Sequence, residues 1–348
     1  MRLYKQGVIK GIIGCFLLSV LVLVGSRRLY HFDAALVPYL FGTLFAVFGI
    51  IYRYAVWLSR PPTQTLWKRS LKFFFSLQFF RTLGVIFKNL FQNIAAQKFI
   101  GKRSPYRWFM HFLIAWGCLI SFAVTFPLVF GWLHFENPIG QDHMYQIYMF
   151  GFPTMVFDPY GLMGFFIFNA LNFCSVMIII GTVMAFTRRF LLPGEITTQT
   201  FANDLLPLLI LFSVAITGLF MTYDTHFLAG RHYRVLSTIH CWTVVIFLIY
   251  LPFGKFFHIF QRFAQMGAGL YIQERQRGKD MAICPKSNKA FTSRMQKEDV
   301  KKALKDLGFE FDNGVDKHSI QDLSPESRRK LLMTVQNKKL KGKFSLES

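Results

Sequence analysis

Apolar residues run almost unbroken over six stretches, Gly11 to Gly25, Ala34 to Tyr52, Trp108 to Phe135, Gly161 to Thr187, Leu205 to Tyr223 and Val235 to Gly254. Most approach the roughly 20 residues that a helix needs to cross a bilayer's hydrocarbon. The pattern predicts six transmembrane helices. Several carry Gly, Thr and Pro, which neighbouring helices tolerate inside a membrane bundle. Between the second and third stretches, RPPTQTLWKRS interrupts the pattern with two prolines. The following LKFFFSLQFFRTLGVIFKNLFQNIAAQKF is apolar but studded with Gln78, Arg81, Lys88, Asn89 and Gln92 at mostly helical spacing. A span would have to bury those charges, so the expectation is an amphipathic helix lying in the plane of the inner leaflet or packed on a partner subunit. Past Gln265 the chain turns charged. There the spacing puts Val300, Ala303, Leu304 and Leu307 on one face of a helix that stops at Gly308, and Ser324-Pro325 starts another.

The resulting fold class is an all-α integral membrane protein in four parts. Residues 1–62 form an N-terminal hairpin of two spans, 63–103 an interfacial segment, 104–264 a four-helix membrane domain and 265–348 a small, basic cytoplasmic tail. The loop after the third span, rich in aromatic and turn residues, is expected to cap the bundle at the outer interface.

Composition agrees with a membrane protein: 53% of residues are hydrophobic and 18% aromatic. A net charge of +22 raises nucleic acid as a partner, but its distribution excludes that reading, because basic residues fall in alternate connections. Eleven Lys or Arg lie between Arg53 and Arg107, and none between His134 and Tyr160. The positive-inside rule therefore places both termini in the cytoplasm, against the vote of Arg27, Arg28, Arg231 and Arg234. The N-terminus has the basic-then-apolar order of a signal peptide, but no A-x-A-like cleavage site follows, which favours a retained span. Cys15, Cys118, Cys174 and Cys241 lie inside spans, Cys284 lies in the tail, and none forms C-x-x-C. Ser287 stands where such a motif would place the second thiol after Cys284. Neither a disulfide framework nor a cysteine-ligated cluster is expected within this chain.

The candidate chemistry lies in the histidines. His240 and His258 are 18 positions apart in one apolar stretch, which on a continuous helix puts both rings on one face about 27 Å apart. In the topology above, His258 ends near the inner face, as does His111 at the start of the third span. Two imidazoles at one depth on antiparallel helices are what a six-coordinate haem b requires. Arg107 and Lys255, beside them, are candidates for binding haem propionates as well as ordinary inner-face anchors.

At these residues the sequence becomes familiar. RWFMHFLIAWG, TTQTFANDLLPLLILFSVAITGL and STIHCWTVVIFLIYLPFGKFFHIF make the stretch from Ser104 to Phe263 resemble the membrane cytochrome b (gamma) subunit of respiratory nitrate reductase and the related membrane subunits of heterodisulfide-reductase-type complexes. The resemblance covers a little under half of the chain. It implies haem ligation by His240 and by His258, the latter after the Pro252-Phe253-Gly254-Lys255 turn, with His111 as the inner partner. It also implies a bacterial or archaeal cytoplasmic membrane. One position departs: the family's outer haem takes a further histidine ten residues after that of His111, and here Ser121 occupies the place. Serine does not replace imidazole, so the outer haem is either missing or recruits another partner for His240. His134 has a suitable depth, roughly 34 Å above His111, but 23 helical steps turn it about 140° away. His143 and His31 are the other candidates, while His226 and His232 read as solvated loop residues and His318 belongs to the tail.

The expected function is a haem b-containing membrane subunit of a respiratory oxidoreductase, holding one haem or two. It would relay electrons between quinone in the membrane and a cytoplasmic iron-sulfur, molybdenum or flavin subunit. No Gly-rich fingerprint for a nucleotide or flavin appears, so the chain is not expected to complete a substrate reaction by itself. A six-helix transporter and a haem-free anchor are the competing classes, the first weakened by spans that hold almost no ionisable residues.

Overall fold

A computed structural model of the chain describes residues 2–76, 79–191, 199–277, 280–309 and 319–344. Gln78, His318 and the first two residues of TTQTFANDLL, all of which entered the sequence reading, lie outside the described residues. Six helices are long and apolar enough to cross a membrane, Tyr4–Gly25, Ala34–Leu58, Pro105–Val129, Leu162–Leu191, Phe201–Phe227 and Tyr233–Tyr250. They match the six apolar stretches one for one. Their number and length are those of a multi-pass membrane protein.

The chain divides into two compact units, one of residues 1–56 and 91–262, the other of residues 57–90 and 263–348. In the first unit lie α1 (Arg2–Gly25), most of α2 (Val37–Leu58), the short α5 (Lys98–Gly101), α6 (Pro105–Val129), α7 (Leu162–Leu191), α8 (Leu206–Phe227) and α9 (Tyr233–Tyr250). Helix α7 packs against both α6 and α8, and α8 against α9, so each of the last four spans neighbours the next. The α6–α7 crossing is close enough to need glycine. A Cβ on Gly181 would stand 2.6 Å from Ile114 and 3.0 Å from the Met110 carbonyl oxygen, and one on Gly117 2.7 Å from Ile178. In a bilayer, where lipid matches Leu in apolarity, such close backbone approach drives helix association. Ala46, Ile178, Leu211, Ala215, Leu248 and Leu251 form the buried core beside that crossing.

Two features depart from the expected architecture. First, the apolar stretch of the sixth span is not one helix. Helix α9 ends at Tyr250, a turn carries Pro252 to Gly254, a single 3-10 turn covers Lys255–Phe257, and α10 begins at His258 and runs to Arg277. Proline lacks the amide that would continue the ladder and crowds the preceding turn, so the 18-residue spacing of His240 and His258 does not place them on one helical face. The break is held by other elements. Arg53 of α2 donates from Nη1 to the carbonyls of Pro252 (2.6 Å) and Phe253 (2.9 Å) and lies 4.3 Å over the Phe257 ring, while Tyr250 Oη donates to Ala202 O at 2.8 Å.

Second, the fold is mainly but not purely helical. Helix α6 stops at Val129, and the α6–α7 connection forms an antiparallel sheet of β1 (Leu133–Glu136), β2 (Tyr145–Met149) and β3 (Phe152–Phe157). Phe150 and Gly151, both with positive φ, make the two-residue turn between β2 and β3, the geometry that suits a hairpin's twist. The pairing sets His134 opposite Tyr148.

The second unit combines α3 (Pro61–Phe74) and α4 (Phe79–Leu90) with the rest of α10, the hairpin β4 (Met281–Ile283) and β5 (Ala290–Ser293), α11 (Arg294–Asp306) and α12 (Pro325–Phe344). The segment 63–103, expected as one interfacial element, is therefore shared between the units. Polar residues of α4 engage the chain's own C-terminal part, with Arg81 Nη2 2.7 Å from Glu274 Oε1. Asp299 is the buried hub: Arg69 of α3 grips it through Nε and Nη2 (2.9–3.1 Å) and Tyr271 Oη donates to it at 3.0 Å. The face of α11 turned inward thus includes Asp299 with Ala303 and Leu304, whereas Val300 and Leu307, expected on that face, are exposed. Gly308, with φ +83°, ends the helix as expected. Cys284 is fully buried in this unit; its Sγ accepts from Ser324 N at 3.2 Å and lies 3.4 Å from Ser327 Oγ.

Candidate haem-ligand pair and the outer cavity

Helix α6 begins where its sequence says it should, with Ser104 accepting from the Arg107 amide and Pro105 at the first position. Two turns on, His111 points its Nδ1 at Gln97 Oε1, 2.8 Å away. Gln97 is 4% exposed and left-handed at φ 49°, an uncommon conformation for glutamine. Two indoles secure the stretch before it, Trp108 donating to Ala96 O at 2.9 Å and Trp116 to Ala95 O at 3.0 Å. The neighbouring segment is thereby fastened to α6 with its amide on the histidine.

His258 stands at the start of α10, and its Nδ1 donates to the Lys255 carbonyl at 2.6 Å. A carbonyl only accepts, which fixes the tautomer: the proton is on Nδ1, and Nε2 keeps a free lone pair. The same holds for His111 with the Gln97 oxygen toward it. The two rings lie 6.5 Å apart, centre to centre, with planes at 64°. Two imidazoles bound trans to one metal have centres about 6 Å apart, the sum of two bonds of roughly 2.0 Å and the two distances from nitrogen to ring centre. The ring separation and the hydrogen bond at each Nδ1 are compatible with two imidazoles sharing one metal, as a six-coordinate haem would require.

Lys255 and Arg107 are both exposed. The Lys255 ammonium is 2.6 Å from Asp204, which also meets Arg189 at 3.3 Å, so its established contact is an ion pair. Arg262, one turn beyond His258, lies over the Phe99 ring at 4.4 Å and close enough to bear electrostatically on His111 and His258. Arg262 and Gln97 were both missed from sequence. Their only signal is position, one on the helical continuation of His258 and the other near the end of the amphipathic stretch, past the last of its helically spaced polar residues, Gln92.

His240 occupies a separate place. Its Nδ1 is 2.9 Å from Thr217 Oγ1 on α8, and Gly218 leaves room for its ring. It lines a cavity of about 630 Å³ with Ser121, Thr125, Asn172, Thr222, His226 and Tyr39 among apolar neighbours. His226, read from sequence as a solvated loop residue, is exposed and yet shares this lining.

His134 lies elsewhere. On β1 its ring stacks on His31 with centres 3.9 Å apart, and on its other side with Tyr148 at 5.2 Å. The end of α6 at Val129 accounts for this, because the last residues of the expected third span leave the helix at Gly131 (φ +65°) and enter the sheet. The helical estimate of depth and direction for His134 therefore does not apply. His143 is exposed on the same outer loop. Burial, and next the neighbouring His134, hold the His31 imidazole below its ordinary pKa, while Glu136 opposes them.

Compared with protein-family models, with curated proteins and with solved structures, the chain matches none.

Proposed function

We propose that this chain is a cytochrome b subunit of a membrane-bound oxidoreductase, relaying electrons between quinone and a redox subunit on the cytoplasmic side. The observation that carries the reading is the pair His111 and His258, 6.5 Å apart with each Nδ1 held by an oxygen. Haem b, when bound there, would supply reversible one-electron chemistry. The chain's own residues do the rest. Gln97 and the Lys255 carbonyl hold the Nδ1 protons and aim both imidazoles, and the Pro252 turn, held by Arg53, sets the angle at which His258 enters.

The reading holds one haem in each chain. Ser121 stands where the resembled family has its fourth ligand, and His134 is stacked on His31. The cavity beside His240 is assigned to quinone, on its size, its largely apolar lining and the polar groups of His240, Asn172 and Thr222. His240 Nε2 would accept from a quinol hydroxyl, its Nδ1 donating to Thr217 Oγ1, whose own proton goes to the Ser213 carbonyl at 2.7 Å.

The redox partner, an iron-sulfur, molybdenum or flavin protein, is assigned to the inner face on the charge distribution and the resemblance. The basic residues Arg294, Lys302, Lys305 and Lys330 are exposed on the second unit. Exposed Phe75, Phe80 and Phe87 support an interfacial position for the 75–87 region, in keeping with an amphipathic contact with lipid.

An optical spectrum of the purified full chain tests the proposal. Bands of b-type haem that sharpen and shift on dithionite reduction, with one haem per chain by pyridine haemochrome, are expected. A featureless visible spectrum after expression with ample haem leaves only the transporter and the bare anchor.

A further inference from the structure

His31, His134 and Glu136 come together at the outer end of the first unit, and each offers one ligand atom, all within 4.8 Å of one another. His31 belongs to the loop after α1 and the other two to β1, so two separate pieces of chain converge. Nε2 of His31 and both ring nitrogens of His134 are buried from solvent without a hydrogen-bond partner among the described residues. Buried imidazole nitrogens without partners are costly and rare in native proteins. Glu136 Oε1 stands 3.2 Å from His134 Nε2 without hydrogen-bond geometry, which is also the edge length between two ligands of a tetrahedral ion with bonds of about 2.0 Å.

The backbone around the cluster is built to hold it. Arg27, Arg28 and Leu29 are three successive non-glycine residues in the left-handed region, at φ 50°, 59° and 68°. Buried Ser26 closes this turn, accepting from Leu29 N through Oγ (2.9 Å) and from His31 N through its carbonyl (3.2 Å). On the other side Gly131 lies so close that a Cβ there would meet the His31 carbonyl oxygen at 2.4 Å. Tyr148 backs His134, and Tyr30 meets the His31 ring edge-on at 4.9 Å.

From this geometry we infer a binding site for a divalent transition-metal ion of the zinc class, with His31, His134 and Glu136 as ligands and a fourth position open to solvent beside exposed Glu136. Two imidazoles and one carboxylate are a donor set that zinc favours and that magnesium and calcium do not. Coordination requires one stacked ring to turn about χ2 so that both lone pairs meet at one point, and that torsion is soft in histidine. The bound ion would clip the α1–α2 loop to the outer sheet. This site is independent of the haem reading, because it uses neither His111, His258 nor His240.

The experiment uses the full chain in detergent, purified without a histidine tag and stripped with EDTA. Cobalt(II), as a spectroscopic probe, is expected to give the intense visible d–d bands of a four-coordinate site. After zinc loading and desalting, mass-spectrometric metal analysis is expected to find one zinc per chain, counted separately from haem iron. His31→Ala and His134→Ala should lose that zinc, Glu136→Gln should bind it at least about tenfold more weakly, and His143→Ala should keep it. Retention of no zinc by the wild-type chain, or equal loss in the His143 variant, overturns the assignment. Should the His31 or His134 variants not fold, the wild-type cobalt spectrum decides alone: weak bands of an octahedral aquo ion count against the site.

Discussion

The rings of His111, two turns into α6, and His258, the first residue of α10, stand 6.5 Å apart although 147 positions separate them in the chain. Each is oriented by an oxygen from outside its own helix, Gln97 Oε1 for one and the Lys255 carbonyl for the other. That relationship makes the haem reading testable at single residues.

Replacing either imidazole by a side chain that cannot ligate should abolish six-coordinate haem. His111→Ala and His258→Ala are each expected to purify without the low-spin b-type spectrum while keeping the helical circular dichroism of the wild type. Survival of that spectrum in both variants would show that other residues hold the iron.

Gln97 acts through His111 and should tune rather than abolish. Gln97→Leu removes the acceptor from Nδ1, which lowers the basicity of the ligating nitrogen and frees the ring to turn; losing such a partner commonly costs 10–100-fold in affinity. The expected outcome is partial haem occupancy with a shifted midpoint potential in redox titration, and Gln97→Glu should move the potential the opposite way. Unchanged potentials in both would confine Gln97 to packing.

The cavity beside His240 should separate quinone chemistry from haem retention. His240→Ala and Thr217→Val are expected to keep one haem per chain and to slow its reduction by a soluble quinol by roughly tenfold or more, on the scale of a lost buried hydrogen bond. A drop from two haems to one in His240→Ala would instead restore the outer haem.

The α6–α7 crossing should tolerate no side chain. Gly181→Val places carbon 2.6 Å from Ile114 and 3.0 Å from the Met110 carbonyl, an overpacking that costs about 1–3 kcal/mol or more. A lower melting temperature in detergent, with early loss of the haem spectrum, is the expected result.

The second unit should weaken in acid. Partial burial raises the Asp322 carboxyl, but Lys301 at 2.6 Å and Lys297 at 3.0 Å outweigh it and hold the group below its ordinary value of 3.8. A depressed carboxylate contributes stability above its unfolded pKa, and that contribution disappears as pH falls through the lower folded value. Hydrogen exchange in α11 should therefore accelerate as pH drops below the ordinary carboxylate range, after correction for intrinsic rates. Asp322→Asn should exchange fast at neutral pH and lose the dependence.

Much of this was legible along the chain. The six spans and their order follow from runs of apolar residues, because hydrocarbon demands about 20 of them in a helix whatever the neighbours are. Ser324-Pro325 marks the start of α12, and Gly308 the end of α11, through local backbone chemistry alone. His111 and His258 were identifiable from their expected depth. The same logic misled where a helix was assumed to continue. Pro252 breaks the stretch that carries His240 and His258, and the helix expected to carry His134 ends before Gly131. In the outer loop, the aromatic residues of β1 to β3 pair through backbone hydrogen bonds between positions far apart in sequence, which no local period announces.

The sequence by itself determined the membrane class, the number of spans and the ligand types on offer, since those rest on hydropathy and residue chemistry that need no partner. Only the tertiary structure brought His31 onto His134 and His240 to Thr217, and set the angle at which His111 and His258 face each other. Such meetings depend on contacts between distant segments, the hold of Arg53 on the Pro252 turn and of Trp108 on Ala96, and an angle set by packing is not written in the spacing of one segment.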